Sequence, residues 1–253
     1  MGINVSQILL RANSTELAVG DIPRVVGTLS SFSQTVPSKI QEIFCDIVEV
    51  RLDQIPDRTD WLERCQEIEK IGIPVILTLR LQAEGGGWTD SEEPRLKLFE
   101  RALTGLSCVD VEFNSKIALS VSQLARRLNK ACIVSFHDFE KTPDLERLQS
   151  VVAEAEKLGS VVKISTMVKT DRDIECLRTL LASPRKVPLC VIGMGAEGAN
   201  TRVSFAALGS CLTYGYLDRS MAPGQISAPN LVEALRKTIP KYDKDFVLRK
   251  QRL

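Results

Sequence analysis

ACIVSFHDFEKTPDLERLQSVVAEAEKLGSVVKIST, residues 131–166, contains one complete repeat of the chain. Its first and last runs, Cys132–Phe136 and Val161–Ser165, are short, apolar and rich in β-branched residues, as strands buried on both faces are. Between them a helical pattern runs from Pro143 to Leu158, with Thr142 placed as N-cap, Pro143 at the first position and Gly159 just past the end. Leu145, Leu148, Val151, Val152, Ala155 and Leu158 recur at helical spacing and form its apolar face. A strand, a crossover helix and a second strand parallel to the first is the βαβ unit.

The unit recurs along the chain. Strand patterns occupy Arg24–Leu29, Ile47–Arg51, Val75–Arg80, Val109–Glu112, Cys132–Phe136, Val161–Ser165, Leu189–Gly193 and Ser210–Tyr216. They are spaced by roughly 22 to 34 residues, the length of a strand plus a crossover helix. Trp61, Leu62, Cys65, Ile68 and Ile71 form another helical stripe, ended by Gly72 before Pro74, and the last unit runs from Pro229 through Leu231, Val232 and Leu235. Eight such α/β units with no low-complexity linker predict a single (β/α)8 barrel domain over 1–253, with a doubly wound open sheet as the rival. Residues 1–21 have weak periodicity and read as an N-terminal extension framing the barrel floor. Residues 240–253 read as a basic, solvated C-terminal tail.

With 33 basic and 32 acidic residues the formal net charge is +1, which argues against a nucleic-acid-binding surface. The seven cysteines, at 45, 65, 108, 132, 176, 190 and 211, are odd in number and form no Cys-x-x-Cys pair. They read as reduced core thiols of a cytoplasmic protein, not as a disulfide framework or zinc site. The early apolar run Val5–Leu10 is broken by Ser6 and Gln7 and is too short for a signal peptide or membrane span. The sequence shows no metal-ligand cluster beyond single strand-end carboxylates.

Charges recur where the strands of such a barrel end. Glu49 and Arg51 close the second strand and, two apart, share one face. Arg80 ends the third with Glu84 in the following loop, Asp110 and Glu112 end the fourth, His137 and Asp138 follow the fifth, and Lys163 lies within the sixth. Buried charges are costly unless they pair or meet a ligand, and the C-terminal ends of barrel strands are where active sites form. His137 is the chain's one histidine, and imidazole changes charge near neutrality. A desolvated lysine becomes a nucleophile. Together they suit imine chemistry on a carbonyl substrate, and the arginines suit an anionic, hydroxylated one, because guanidinium matches carboxylate bidentately. Glu84-Gly-Gly-Gly87 reads as a flexible loop over a ligand, and Ala222–Ser227 as a turn over the mouth in which Gln225 both donates and accepts. Gly193-Met-Gly195-Ala-Glu-Gly198, with Asp218 about 20 residues on, also matches the dinucleotide fingerprint. Only 35 residues follow Asp218, too few to complete that fold.

Seven ordered motifs resemble the type I 3-dehydroquinate dehydratases of the shikimate pathway: Glu49-Val-Arg51-Leu-Asp53, Thr78-Leu-Arg80 with Glu84-Gly-Gly, Asp110-Val-Glu112, Ser135-Phe-His137-Asp-Phe139, Lys163-Ile-Ser-Thr-Met167, Asn200-Thr-Arg202 and Ala222-Pro-Gly-Gln225-Ile-Ser227. The resemblance spans roughly residues 22 to 240. It implies a metal-free, cofactor-free (β/α)8 barrel, usually a homodimer, acting on the small molecule 3-dehydroquinate. It implies that Lys163 forms the Schiff base, that His137 is the general acid/base and that Glu84 orients and tunes it. Thr28, Glu49, Arg51, Arg80, Arg202 and Gln225 fall on substrate-contacting positions, with Arg202 matching the carboxylate-binding arginine. Thr28 stands where a serine is common, and Met221 stands where well-known members place a substrate-contacting serine. A class I aldolase or transaldolase, which also forms an imine in a barrel, is the enzymatic alternative, and an inactive barrel serving as a binding module is the other.

Overall fold

In the computed structural model, which describes residues 7–32, 45–220 and 225–251, the repeat closes on itself. A short hairpin, β1 (Ile8–Ala12) and β2 (Thr15–Val19), precedes eight parallel strands: β3 (Arg24–Leu29), β4 (Ile47–Arg51), β5 (Val75–Thr78), β6 (Cys108–Glu112), β7 (Ala131–Asp138), β8 (Val161–Met167), β9 (Leu189–Met194) and β10 (Leu212–Tyr216). The helices are α1 (Trp61–Lys70), α2 (Glu92–Gly105), α3 (Ala118–Arg127), α4 (Leu145–Ala155), α5 (Asp171–Ala182), α6 (Thr201–Ala207), α7 (Ala228–Thr238) and α8 (Pro240–Gln251). The sheet runs β10-β3-β4-β5-β6-β7-β8-β9, so the first barrel strand lies beside the last. That adjacency makes a (β/α)8 barrel and excludes the doubly wound open sheet. At the β9–β10 seam, Cys211 N–H donates to the Leu189 carbonyl and Val191 N–H to Ser210 Oγ, each at 3.0 Å.

Strand parity sorts the barrel into two cores. In β6, Val109 and Val111 point outward into the layer shared with the helices, whereas Cys108 points inward. The same alternation puts Val26, Ile47, Ile76, Ile133, Val161, Cys190 and Leu212 in an inner apolar layer, closed from below by Leu10, Leu17 and Val19 of the hairpin. Two residues further along most of these strands the inward positions are polar or charged: Thr28, Glu49, Thr78, Asp110, Ser135 and Lys163, all buried. An apolar floor and a charged upper half therefore follow from one period-2 pattern on parallel strands.

Two local expectations are corrected. The N-cap of α4 is Asp144, whose carboxylate accepts from Arg147 N–H; Thr142 instead donates its hydroxyl to the Met167 carbonyl at 2.8 Å, tying the β7–α4 loop to the end of β8. Residues 240–251 are not a solvated tail but α8, laid across the barrel floor with Tyr242 and Phe246 buried. The basic composition misleads because Arg249 is spent on a buried carboxylate. Asp46 accepts from Val25 N–H at 2.7 Å, Tyr242 O–H at 2.9 Å and Arg249 Nη2 at 2.6 Å, while Asp245 pairs with both Arg24 and Arg249.

Tyr242→Phe removes one donor to a buried, ionised acceptor. It should lower stability by about 1–3 kcal/mol, read as a lower urea midpoint with an unchanged denaturant slope. A midpoint equal to that of the parent protein would mean that α8 does not depend on this contact.

Candidate active site

The inward charges meet at the C-terminal mouth. Thr28, Glu49, Arg51, His137, Phe139, Lys163, Tyr214, Arg202 and Gln225 line one open cavity there, together with Gly85, Ser165, Ile192 and Met194. Pairing β7 with β8 sets Ser135 beside Lys163 and His137 beside Ser165, so the lysine sits one inward step below the histidine. Lys163 Nζ is 3.1 Å from Asp110 Oδ2 and 3.9 Å from Glu49 Oε1, and lies 4.2 Å above the centre of the Tyr214 ring. Glu49 is fixed from both sides, by Thr28 Oγ1 at 3.1 Å and Thr78 Oγ1 at 2.8 Å.

His137 is held by Glu84. One carboxylate oxygen lies 2.9 Å from the ring Nδ1 and 3.2 Å from the backbone N–H of the same residue, leaving Nε2 as the nitrogen for proton transfer. Phe139 stacks beside the ring, centroids 6.2 Å apart and planes 18° apart. Burial, reinforced by Arg80 and Lys163, pushes the imidazole well below its usual 6.5. Burial, with the Glu112 charge adding to it, pushes the Glu84 carboxyl up to about 7 against the pull of Arg80. Both shifts share a largest cause, the scarcity of water around the pair. Both directions disfavour the ionised forms, so the resting imidazole is neutral and able to accept a proton at Nε2.

The glycines after Glu84 serve rigidity, contrary to the flexible loop that their number suggests. Gly86 N–H donates to the Leu81 carbonyl, Trp88 N–H to the Arg80 carbonyl and Gly87 N–H to Asp53. Gly85 has φ 75°, and a Cβ there would lie 2.4 Å from Phe139; at Gly86 it would lie 2.0 Å from the Arg80 carbonyl oxygen. The loop needs small residues because it is packed onto its own base. The fingerprint at 193–198 is likewise a tight β9–α6 turn: Thr201 Oγ1 accepts Gly193 N–H at 2.9 Å and donates to the Gly198 carbonyl. Asp218 accepts from Ser30 N–H and Oγ–H at 2.9 and 2.8 Å, joining the ends of β3 and β10.

The arginines divide by partner. Arg51 makes a bidentate pair with Asp53, at 2.9 and 2.8 Å. Arg80 does not line the cavity: its guanidinium is held by Asp110 at 2.8 Å, Ser135 at 2.6 Å and Glu112 at 3.2 Å. It acts on the lysine through Asp110, whose carboxyl is held below its usual range despite burial by Arg80, Lys163 and the Ser135 hydroxyl. Arg202 is the exception. It is 5% exposed, its Nε and Nη1 meet no acceptor among the described residues, and burial lowers its pKa. A desolvated cation without a counter-ion, facing a cavity, calls for an anion from outside. Gln225 lines the cavity two residues before Ser227, which bridges to Tyr216. Met221 lies outside the described residues.

Sequence reasoning gave no role to Phe139 or Tyr214. Tyr214 was legible from parity, since it lies two residues from the inward Leu212 in β10. The stacking of Phe139 had no signal in the sequence. Among the described residues no group of three or more His, Cys, Asp or Glu could hold a metal ion, and no helix is long and apolar enough to cross a membrane.

A family profile, type I 3-dehydroquinase, matches residues 22–239. The chain is 32% identical over 215 residues to a 3-dehydroquinate dehydratase of Methanocella arvoryzae, covering 85% of this chain and 96% of that protein. Its fold is similar to the type I 3-dehydroquinate dehydratase of Clostridium difficile, with TM-score 0.78 and 22% identity over 92% of this chain and 98% of that one. It is also similar to the 3-dehydroquinate dehydratase of Aquifex aeolicus, with TM-score 0.73 and 27% identity over 85% and 98% of the two chains.

With one histidine in the chain, a titration of imidazole carbon-bound protons by NMR reports His137 alone. The ring should stay neutral through pH 6.5, its usual midpoint, and protonate only in more acid solution. The unfolded chain takes up that proton first, so this group withdraws stability as the pH falls below about 6.5. A midpoint at or above 6.5 would contradict the burial argument.

Proposed function

The chain belongs to the type I 3-dehydroquinase family, and on that premise we propose that it is a hydro-lyase of the shikimate pathway, converting 3-dehydroquinate to 3-dehydroshikimate and water at the barrel mouth. Membership sets aside the class I aldolase and inactive-barrel readings. The observation that carries the site assignment is a buried amine facing one cavity together with a buried guanidinium whose Nε and Nη1 have no partner among the described residues. These are the two groups needed to take hold of a molecule bearing both a ketone and a carboxylate.

In this reading the Lys163 nitrogen attacks the C3 ketone and water leaves, giving an iminium. Asp110 lies against this nitrogen at 3.1 Å and so matches the positive charge that forms on it as the iminium. The iminium draws electrons from the adjacent C2–H bond, and Nε2 of His137 removes that proton to leave an enamine. The proton is delivered to the C1 hydroxyl, which departs as water with the C1–O electron pair as the nitrogen lone pair re-forms the C3–N double bond and the enamine pair shifts to C1–C2. Hydrolysis of the new iminium frees the product and restores the lysine. Proton transfer by a placed group is typically worth ~10² to 10⁴-fold, and the imine divides one difficult elimination into easier steps. Glu84 keeps the ring oriented throughout by its bond to Nδ1. Arg202 takes the carboxylate, and Thr28, Glu49, Arg51 and Gln225 face the ring hydroxyls. We place the enzyme in the cytoplasm as a homodimer, the state that the family resemblance implies.

Incubation with 3-dehydroquinate should generate the enone absorbance of the product. Borohydride with substrate should fix a ligand-sized mass on Lys163, and Lys163→Ala should abolish both labelling and turnover; label at Lys157 or Lys169 would overturn the assignment. His137→Ala should lose most turnover while still being trapped by borohydride. Arg202→Ala should weaken substrate binding at least about tenfold, since a charged hydrogen bond is worth about 1.5–3 kcal/mol, and unchanged binding would move the carboxylate elsewhere.

A further inference from the structure

Glu112 touches no part of the cavity, yet both halves of the site hang from it. It ends β6, is fully buried, and its Oε1 accepts Leu81 N–H at 2.9 Å, the first backbone donor of the loop that delivers Glu84. The same oxygen lies 3.2 Å from Arg80 Nη1, and Arg80 passes the contact on through Asp110 to Lys163. Oε2 pairs with Arg95, a fully buried arginine sent inward from the first turn of α2 in the outer ring. Arg95 is itself located by the Leu79 carbonyl at 2.8 Å and by Glu92 at 2.8 Å. The charges alternate without a gap from lysine to surface: Lys163, Asp110, Arg80, Glu112, Arg95, Glu92.

We propose that Glu112 and Arg95 are positioning residues for the dehydration: the carboxylate joins the lysine's counter-ion to the loop that carries Glu84, and the arginine from the helix ring locks and balances it. The proposal rests on the functional reading above. A carboxylate shared in this way aligns the amine and the proton-transferring pair with one another, and a misplacement of about 1 Å can cost up to about a hundredfold in rate. It also acts through charge. The groups facing Glu84 are Arg80 from its own loop, Glu112 and Asn114 from β6 and the turn after it, and His137 from β7. Of these, Glu112 is the anion that favours the protonated carboxyl, so its removal and the removal of its partner should act in opposite directions.

Glu112→Gln keeps the acceptor for Leu81 N–H and deletes the charge; Arg95→Met deletes the opposing charge with similar bulk. The acid limb of kcat/KM should move down by about half to one pH unit in the first and up by a comparable amount in the second. In both, kcat should fall about ten- to a hundredfold while KM stays within about twofold. The double variant, neutral at both positions, should return the limb to its original place while kcat stays low. A purely structural pair would lower activity without displacing the limbs in opposite senses, and limbs that stay still or move together overturn the proposal. Should either single variant fail to fold by circular dichroism, Arg95→Lys and the double variant decide: each conserves the local charge balance, so a displaced limb in either overturns it. A parent enzyme that does not turn over 3-dehydroquinate would sink the functional reading. Turnover in the parent with unmoved limbs in the variants would sink this proposal alone.

Discussion

Burying ionised side chains inside a barrel is unfavourable unless each finds an opposite charge, and that constraint organises this molecule from floor to mouth. Asp110 shows how closely it is met. One carboxylate, without solvent access, accepts from Arg80 and Ser135 on one oxygen and from Lys163 on the other. Removing either cation would strand the anion, so lysine and arginine are held where the carboxylate is, and the carboxylate is held by strand parity. The reactive amine acquires its position from this requirement rather than from its own flexible stem.

The same rule, broken at Arg202 beside the cavity, marks the place for a ligand. Arg51, Arg80 and Arg95 all have protein counter-ions within hydrogen-bond distance, whereas the buried Nε and Nη1 of Arg202 meet no acceptor among the described residues. In a structure that otherwise compensates its inner charges so thoroughly, the missing anion is a stored affinity that a substrate carboxylate would discharge. The Glu84–His137 pair carries the complementary lesson. Its proton affinity is set by burial and by neighbours on other strands, so a pair placed identically at a wet surface would titrate differently.

The floor uses the same device for stability instead of chemistry. Asp46 gathers a backbone donor from β3 and two side-chain donors from α8, and thereby fastens the last helix over the end of the barrel that has no active site. The hairpin covers the inner apolar layer from the same side. Closed below by the hairpin and charged above, the barrel opens at the mouth, where the βα loops lie.

The alternation of apolar runs with helical stripes determined the barrel, because eight parallel strands buried on both faces have few other ways to hide their edges. Charges at or within the strands also singled out Glu49, Asp110, His137 and Lys163, and the fold's period-2 parity turns them inward, since parity is a local property of the backbone. What sequence could not reach depends on partners far apart in the chain. Arg80 reads like Arg202 as a strand-end or loop arginine; only the fold shows that Asp110 and Glu112 consume the first and leave the second unmet. Residues 240–253 read as a solvated tail because their basic charge is visible locally, while Asp46, which draws Tyr242 and Arg249 inward, lies 196 and 203 residues away in the chain. The three glycines after Glu84 read as freedom and turn out to be fit, as the atoms they must avoid belong to Phe139, Arg80 and Asp53. Backbone periodicity is written residue by residue, but the worth of a charge depends on what the fold brings against it.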